Sequence, residues 1–529
     1  MSQLDYKIHN INILSNDESI EPIERAIIAV NKFSKLSDSE YITSTVVCER
    51  ILNLIDDLEF NKIINKGGTF IDIASKMAEF SIAIYKRSTN DLNYDYEKIK
   101  DNIYAIPTSP IAYEFTRKIY EILKLNLENI ATKFNSYDIV NIRKLDGNGN
   151  LTNDLDIDRI VKLLSQNKEF SEIELEDDLF TKEGDEEVKF DVVVGNPPYQ
   201  VSDGGALASA KPIYHYFVQL SERISSRFTS LIIPTRWFAG GKGLDEFRSE
   251  MLNDTHIREL HDCLTPEDIF PNTNIRGGVC YFLRDGEYDN SNDFVKVVTY
   301  ENDSIVYEVD RPMKISNHEV FIRDGRAKTI IDKILSVDNF ESIAPFVSSR
   351  KPFGLDGNFG RSENFKKDKS GISSPVICYS KGKTVGYIKK ADVVNNLEWV
   401  DKWKVFIPRA NNIGTELNDD NMNSFIGKPK TTCTESYLAA GAALDLDENS
   451  AKNLEKYFKT KFLRYLHSLF KSSQDATSKT FELIPLQDFT VKSDIDWSKS
   501  INDIDQQLYE KYNFSADEIE YINSKIKDM

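Results

Sequence analysis

Lys189–Gln200, KFDVVVGNPPYQ, decides the reading of this chain. Phe190-Asp191-Val192-Val193-Val194 is a short β-branched run, the pattern of a strand buried on both faces. It ends at Gly195, and Asn196-Pro197-Pro198-Tyr199 follows at once. Two consecutive prolines can neither continue a strand ladder nor sit inside a helix. They fix an extended turn at the carboxyl end of the strand, where open α/β sheets place their sites. The Asn196 side-chain oxygen and the Pro197 carbonyl are acceptors with no local partner. Tyr199 adds a flat ring. An exocyclic amino group could donate to both acceptors while its base stacks on that ring, leaving the nitrogen lone pair free to attack a methyl donor. The same residues also read as a strand, a polyproline turn and a core tyrosine.

Strand and helix patterns alternate on both sides of this stretch. Upstream, Thr69–Ile73 reads as a strand and Ala78–Lys86 as a helix, together the usual cradle for a nucleotide-like cofactor. Ile103–Ile106 reads as a second strand, with a helix over Ile111–Leu125. Ser136–Val140 reads as the end of a third strand, carrying Asp138. Downstream, Gly204–Ser209 is a flexible loop and Pro212–Ile224 a helix. Thr229–Pro234 is another buried strand, running into Thr235-Arg236-Trp237 and a glycine-rich turn. His256–His261 and Gly278–Leu283 complete a strand pair. Seven strands with intervening helices predict an α/β chain with a doubly wound Rossmann-like sheet, closed by an antiparallel hairpin.

The length of 529 residues implies two or three domains. Five scattered cysteines without CxxC or metal-ligand spacing suggest a reducing, cytoplasmic setting and no metal site. The N-terminus lacks a signal-peptide pattern, and no apolar run is long enough to span a membrane. The net charge of −19 bears on solubility and long-range steering, not on any one groove. Ser171–Glu187 is locally acidic, with nine acids against one lysine, whereas Arg350–Arg409 holds 13 basic against 6 acidic residues, a local excess of +7. There, aromatics interleave with the basic residues, a nucleic-acid surface signature. Any lysine-rich β-domain has the same composition.

The tetrapeptide, with its preceding strand, resembles the amino-methyltransferases that use S-adenosyl-L-methionine. Within these the chain is similar to the N6-adenine DNA methyltransferases of restriction-modification systems, in the Eco57I-like branch. Methylases of protein glutamine and of RNA guanine share the tetrapeptide. Pro-x-Arg-Trp at Pro234–Trp237, and Ile-Pro-x-x-Asp-Phe at Ile484–Phe489 followed by Trp497, also look like the large adenine methylases. The resemblance implies catalytic roles for Asn196, Pro197, Pro198 and Tyr199, and cofactor contacts from Thr43, Asp72, Ala74, Asp138 and Asn196. It implies S-adenosyl-L-methionine as cofactor and double-stranded DNA as partner. It further implies a separately encoded restriction endonuclease or helicase subunit, with no membrane association. Arg236, Lys366, Lys367, Lys383, Lys389, Lys404 and Arg409 are the candidate DNA contacts, with pairing to an acid the other reading for Arg236.

The expected organisation is an N-terminal tail and helix over 1–40, an S-adenosylmethionine-dependent methyltransferase domain over 41–330, a C-terminal α+β target-recognition domain over 331–500, and C-terminal helices over 501–529. Two departures stand out. Where the family has Asp-Pro-Ala-Cys-Gly-Ser-Gly-x-Phe, Asp72, Ala74 and Phe80 match, but Lys76 and Ala78 replace the glycines. Where the family ends its second strand with a ribose-binding acid, this chain has Pro107. A methyltransferase-fold subunit that binds DNA with weakened or no turnover is therefore the alternative reading.

Overall fold

The structure is a computed structural model. It describes residues 13, 17, 19–32, 41–165, 189–200, 211–239, 243–315, 319–411 and 422–529, except 133, 148, 272–274, 276, 292, 293, 338 and 472–474. The acidic stretch 171–187 and the loop 204–209 lie outside the described residues. The chain divides into two compact units, Met1–Met313 and Lys314–Met529.

In the first unit the strands are β1 (Phe70–Ser75), β2 (Ile103–Pro107), β3 (Arg143–Leu145), β4 (Leu151–Leu155), β5 (Phe190–Gly195), β6 (Ser225–Pro234), β7 (Ile257–Cys263), β8 (Val279–Asp285), β9 (Val295–Glu301) and β10 (Ser304–Arg311). Eight of them form one sheet in the order β10-β9-β7-β8-β6-β5-β1-β2, while β3 and β4 pair separately. β1 runs parallel to both β2 and β5, and β5 parallel to β6. β8 lies antiparallel between β6 and β7. This is the doubly wound α/β sheet with an antiparallel closing hairpin that the alternating pattern predicts. β9 and β10 extend it beyond the seven expected strands.

Burial explains the order. Every residue of β1 is buried, and β5 is buried except at Asp191. A strand with apolar side chains on both faces needs helices on both sides of the sheet. Those helices carry clear start signals. Ser44 caps Thr45–Leu52 and Ser109 caps Pro110–Leu123, which has proline in its first turn.

One expected strand is a helix. Asn135 and Asp138 form a reciprocal capping box that starts a short helix, Ser136–Ile139. Among the described residues the edge beyond β2 carries a single parallel bridge, Ala105 to Ile130.

The second unit holds β11 (Pro375–Ser380), β12 (Thr384–Lys389), β13 (Lys404–Pro408), β14 (Phe425–Gly427), β15 (Thr431–Cys433) and β16 (Tyr437–Ala440). They form two small sheets, β12-β11-β15 and β14-β13-β16. Phe353, Val376, Ile388 and Phe406 belong to one apolar cluster. The other cluster is mainly helical and includes the C-terminal helices Ile501–Lys511 and Ala516–Lys525 through Ile504, Leu508 and Ile522. The single long helix expected over Ala451–Lys471 is two helices, Glu448–Lys459 and Lys461–Leu469, broken at an extended Thr460.

Candidate active site

The chain leaves β1 toward β2 on one side of the sheet, while β5 and β6 lie on the other. The crevice outside the carboxyl ends of β1 and β5 is therefore the switch point, where such sheets bind ligands. The tetrapeptide turn and the loop after β1 both end there.

Asn196 is buried, and its amide orientation is fixed by Nδ2 donating to Thr43 Oγ1 at 3.1 Å. That bond leaves Oδ1 buried without a partner. Tyr199 is half-buried, its ring edge-on to Phe270 with centroids 6.5 Å apart. Its hydroxyl is buried and unpartnered, and burial pushes its pKa up. A side chain at Gly195 would crowd the turn, because a Cβ there would stand 3.0 Å from Ile73 Cγ2 and 3.4 Å from Asp72 Oδ1.

Asp72 ends up against this turn. Its Oδ1 accepts the Ala74 N–H at 3.1 Å, and its Oδ2 is buried with no partner. Burial, and then the neighbouring Glu79 carboxylate, push its pKa up to about 8. The loop after β1 keeps a glycine-like shape without glycine, since Ala78 sits in the left-handed region at φ 56°, ψ 34°. Its N–H is held by Ser75 Oγ at 3.0 Å. Thr43, Asp72, Ala74 and Asn196 are thus brought together.

Asp138 is not joined to them by any contact. It is spent on the capping box, accepting the Asn135 N–H at 2.9 Å. Ser136 instead stands at the strand ends, its hydroxyl 2.9 Å from the Ile73 carbonyl and 3.3 Å from those of Ile106 and Pro107.

Glu79, not singled out from the sequence, and Lys76, marked there only as a departure, complete the cluster. Glu79 is buried, and its carboxylate accepts the N–H groups of Met77 (2.8 Å), Lys76 (3.0 Å) and Thr43 (3.4 Å). An acid in the first turn of a helix was the available signal. Lys76 is 4% exposed, and its Nζ donates to the Asn196 carbonyl at 2.7 Å and the Ala74 carbonyl at 3.5 Å.

Arg236 is half-buried in the turn Thr235–Phe238 after β6. Among the described residues no carboxylate pairs with it. Lys366, Lys367, Lys383 and Lys389 are exposed on the second unit, with the Lys383 ammonium 5.2 Å from the Phe425 ring centre.

Lys404 is a correction. It is fully buried in β13, and its ammonium donates to the carbonyls of Lys402 (2.7 Å), Trp399 (2.9 Å), Val400 (3.3 Å) and Lys428 (3.5 Å). It has no face for a phosphate, and burial lowers its pKa to about 7. Arg409 is also committed internally, to the Glu435 carbonyl at 3.0 Å and the Asp475 carboxylate at 2.5 Å.

The switch-point crevice, with its Asn-Pro-Pro-Tyr turn and the loop after β1, lies at the carboxyl ends of a Rossmann-like sheet. Residues 101–270 match the family model of the Eco57I restriction-modification methylases. The match spans the tetrapeptide and Arg236 and begins after the altered loop at Lys76–Ala78. An uncharacterized adenine-specific methylase of Mycoplasma pneumoniae is 33% identical over 104 residues, 19% of this chain and 25% of that relative. Among solved structures, a nuclease-deletion mutant of the Type ISP restriction-modification enzyme LlaGI, in complex with a DNA substrate mimic, aligns over 84% of this chain and 45% of its own, at 10% identity and TM-score 0.49. The type I restriction-modification methyltransferase subunit of Streptococcus thermophilus aligns over 54% of each chain, at 13% identity and TM-score 0.33. The chain thus spans about a quarter of the curated relative and about half of the Streptococcus subunit.

Among the described residues no helix is long and apolar enough to cross a membrane, and no group of His, Cys, Asp or Glu is placed to hold a metal ion.

Proposed function

We propose that this chain transfers a methyl group from S-adenosyl-L-methionine to N6 of adenine in a specific duplex DNA sequence, as part of a restriction-modification or defence system. The observation that carries this reading is the Asn196 amide. Its Nδ2 is tied to Thr43 and its Oδ1 is buried with no partner, at the carboxyl end of β5. A buried acceptor without a partner costs roughly 1–3 kcal/mol, and a donor from a ligand would recover that.

In this reading an adenine leaves the duplex and lies against the Tyr199 ring. Asn196 Oδ1 and the Pro197 carbonyl accept its two amino protons, and Pro198 fixes the turn that sets their spacing. That draws the nitrogen toward tetrahedral geometry and leaves its lone pair free. The residues present fit the cofactor at the orphaned Asp72 Oδ2 and beside Ala74 and Thr43. Bound there, the cofactor's sulfonium supplies an activated methyl group. Arg236 serves as a phosphate contact. The exposed Lys366, Lys367, Lys383 and Lys389 form the DNA-facing part of the second unit, which reads the sequence. Nuclease or helicase action comes from a separately encoded subunit.

The test is incubation with methyl-tritiated cofactor and DNA of mixed sequence. Label in N6-methyladenine at one motif is the expected result. No transfer to any DNA by folded protein with bound cofactor refutes the reading. A DNA-binding subunit without turnover is the second reading, favoured by Lys76 in the crevice and Pro107 at the end of β2. DNA binding with no cofactor binding would select it.

A further inference from the structure

The loop between β1 and the helix Glu79–Lys86 is where this chain departs most from its family, and the structure shows what the departing residues do. The crevice offers two kinds of backbone group. Carbonyls of Asn196 and Ala74 point to one cation, the Lys76 ammonium, at 2.7 and 3.5 Å. N–H groups of Lys76 and Met77, in the loop just ahead of the helix, point to one anion, the Glu79 carboxylate, at 3.0 and 2.8 Å. Both side chains are buried.

An ammonium on strand-end carbonyls and a carboxylate on the loop amides ahead of a helix are the two contacts an α-amino acid would make at such a place. S-adenosyl-L-methionine ends in an α-amino acid. Its remaining parts, a sulfonium and an adenosine, have neither group.

We propose that Lys76 and Glu79 are a built-in occupant of the amino-acid half of the cofactor crevice, so that the methionine end of the cofactor enters only by displacing the Lys76 side chain. The inference rests on the methyltransferase reading above. It accounts for two features together. The loop retains a glycine-like left-handed turn at Ala78, so the cradle itself is preserved. Yet the long side chain at the first glycine position folds back across it, over 120 residues of sequence, to the tetrapeptide turn. The adenosine half is not covered by this pair. Asp72 Oδ2 remains without a partner.

Calorimetry on the full chain tests the inference with two ligands. S-adenosyl-L-methionine carries the amino-acid end, and 5′-methylthioadenosine lacks it. In the wild type, methylthioadenosine should bind at least as tightly as S-adenosyl-L-methionine, because the amino-acid end finds its partners taken. Lys76→Gly should tighten S-adenosyl-L-methionine about tenfold or more and leave methylthioadenosine within about twofold. Circular dichroism confirms that the variant is folded, and the wild-type comparison stands alone if it is not.

If the wild type binds S-adenosyl-L-methionine about tenfold more tightly than methylthioadenosine, or if Lys76→Gly leaves that affinity unchanged or weaker, the occupant is refuted and the methyltransferase reading stands. If neither ligand binds either protein, both fall.

Discussion

Lys404→Met separates a phosphate contact from an internal strut. The substitution keeps the length of the side chain and removes its ammonium. In the wild type that ammonium reaches four carbonyls, two of them closely, at 2.7 and 2.9 Å. Each buried acceptor left without a donor costs roughly 1–3 kcal/mol, so the two close ones set a gross loss of about 2–6 kcal/mol. Relief of the buried charge works the other way, since desolvation already lowers the Lys404 pKa to about 7. The net expectation is about 2 kcal/mol. For a unit of this size that lowers Tm by roughly 4–8 °C.

The sign of the pH dependence follows. Between pH 7 and about 10.5 the unfolded chain holds the Lys404 proton and the folded chain does not, so wild-type stability rises with pH in that window. Below pH 7 Lys404 is charged in both states and contributes no slope. Lys404→Met should lack the rise. Scanning calorimetry at pH 7 and pH 9 measures both effects. Duplex-DNA affinity from 50 to 200 mM salt supplies the contrast. Lys404→Met should keep the wild-type salt slope, whereas Lys383→Ala or Lys389→Ala should lower it by roughly 0.9 per lost phosphate contact with Tm unchanged. A Lys404→Met protein that melts with the wild type and loses salt slope would refute the assignment.

Asn196→Ala should abolish methyl transfer and leave DNA affinity within about twofold, because it removes the acceptor and no phosphate contact. Transfer within tenfold of wild type contradicts the role. Tyr199→Phe should keep base extrusion, read by 2-aminopurine fluorescence, and should not lower Tm, because the lost hydroxyl has no partner. Tyr199→Ala should weaken the extruded complex by roughly 1–3 kcal/mol; equal fluorescence from both variants would return the ring to the core. Ala78→Gly should stabilise the chain by about 1 kcal/mol in urea titration, since glycine carries no penalty at φ 56°, and a loss of stability would show that the turn is not strained. Asp72, with its pKa pushed up, is neutral when folded and ionised when unfolded at pH 7. Wild-type stability should therefore fall as pH rises from about 4 toward 8, by at most about 1.4 kcal/mol per unit. Asp72→Asn should remove that slope, and parallel pH curves for the two proteins would contradict the shift.

The parts of the fold that could be read from sequence are those where the period alone suffices. β1 and β5 are short apolar runs bounded by glycine or proline, and both are strands in the central sheet. Ser136–Val140 has the apolar content of a strand, but the Asn135–Asp138 pair supplies a capping box and wins locally. That signal was present and outweighed by composition. The break at Thr460 lacks glycine and proline, and only the threonine side chain, accepting the Leu463 N–H, marks it. In the site, Asn196 was reachable from the acceptors that its turn leaves unsatisfied, and Thr43 and Asp72 only through the family resemblance. Lys404 was not separable from its neighbours, since a count of charges does not say which lysine of a strand points inward. Lys76 was legible as a departure, but its partner 120 positions away was not.

That separation sets the order in which the crevice can be made. Lys76 is synthesised 120 residues before Asn196, and Thr43 153 residues before it. At roughly 5–20 residues per second, the first interval alone lasts about 6–24 s. During it β1 can pair with β2 only, because β5, its other neighbour, does not yet exist. The buried ammonium and the Thr43 hydroxyl wait for a partner that the nascent chain lacks. Burying them earlier would cost more than the two-stranded pair returns, so the first half of the sheet stays open on the ribosome. The arrival of β5 gives β1 its second neighbour and brings the tetrapeptide turn to the crevice, with β6 to β10 still to join the sheet. A substitution at Asn196 would take away the Thr43 bond and leave the backbone carbonyl that Lys76 reaches.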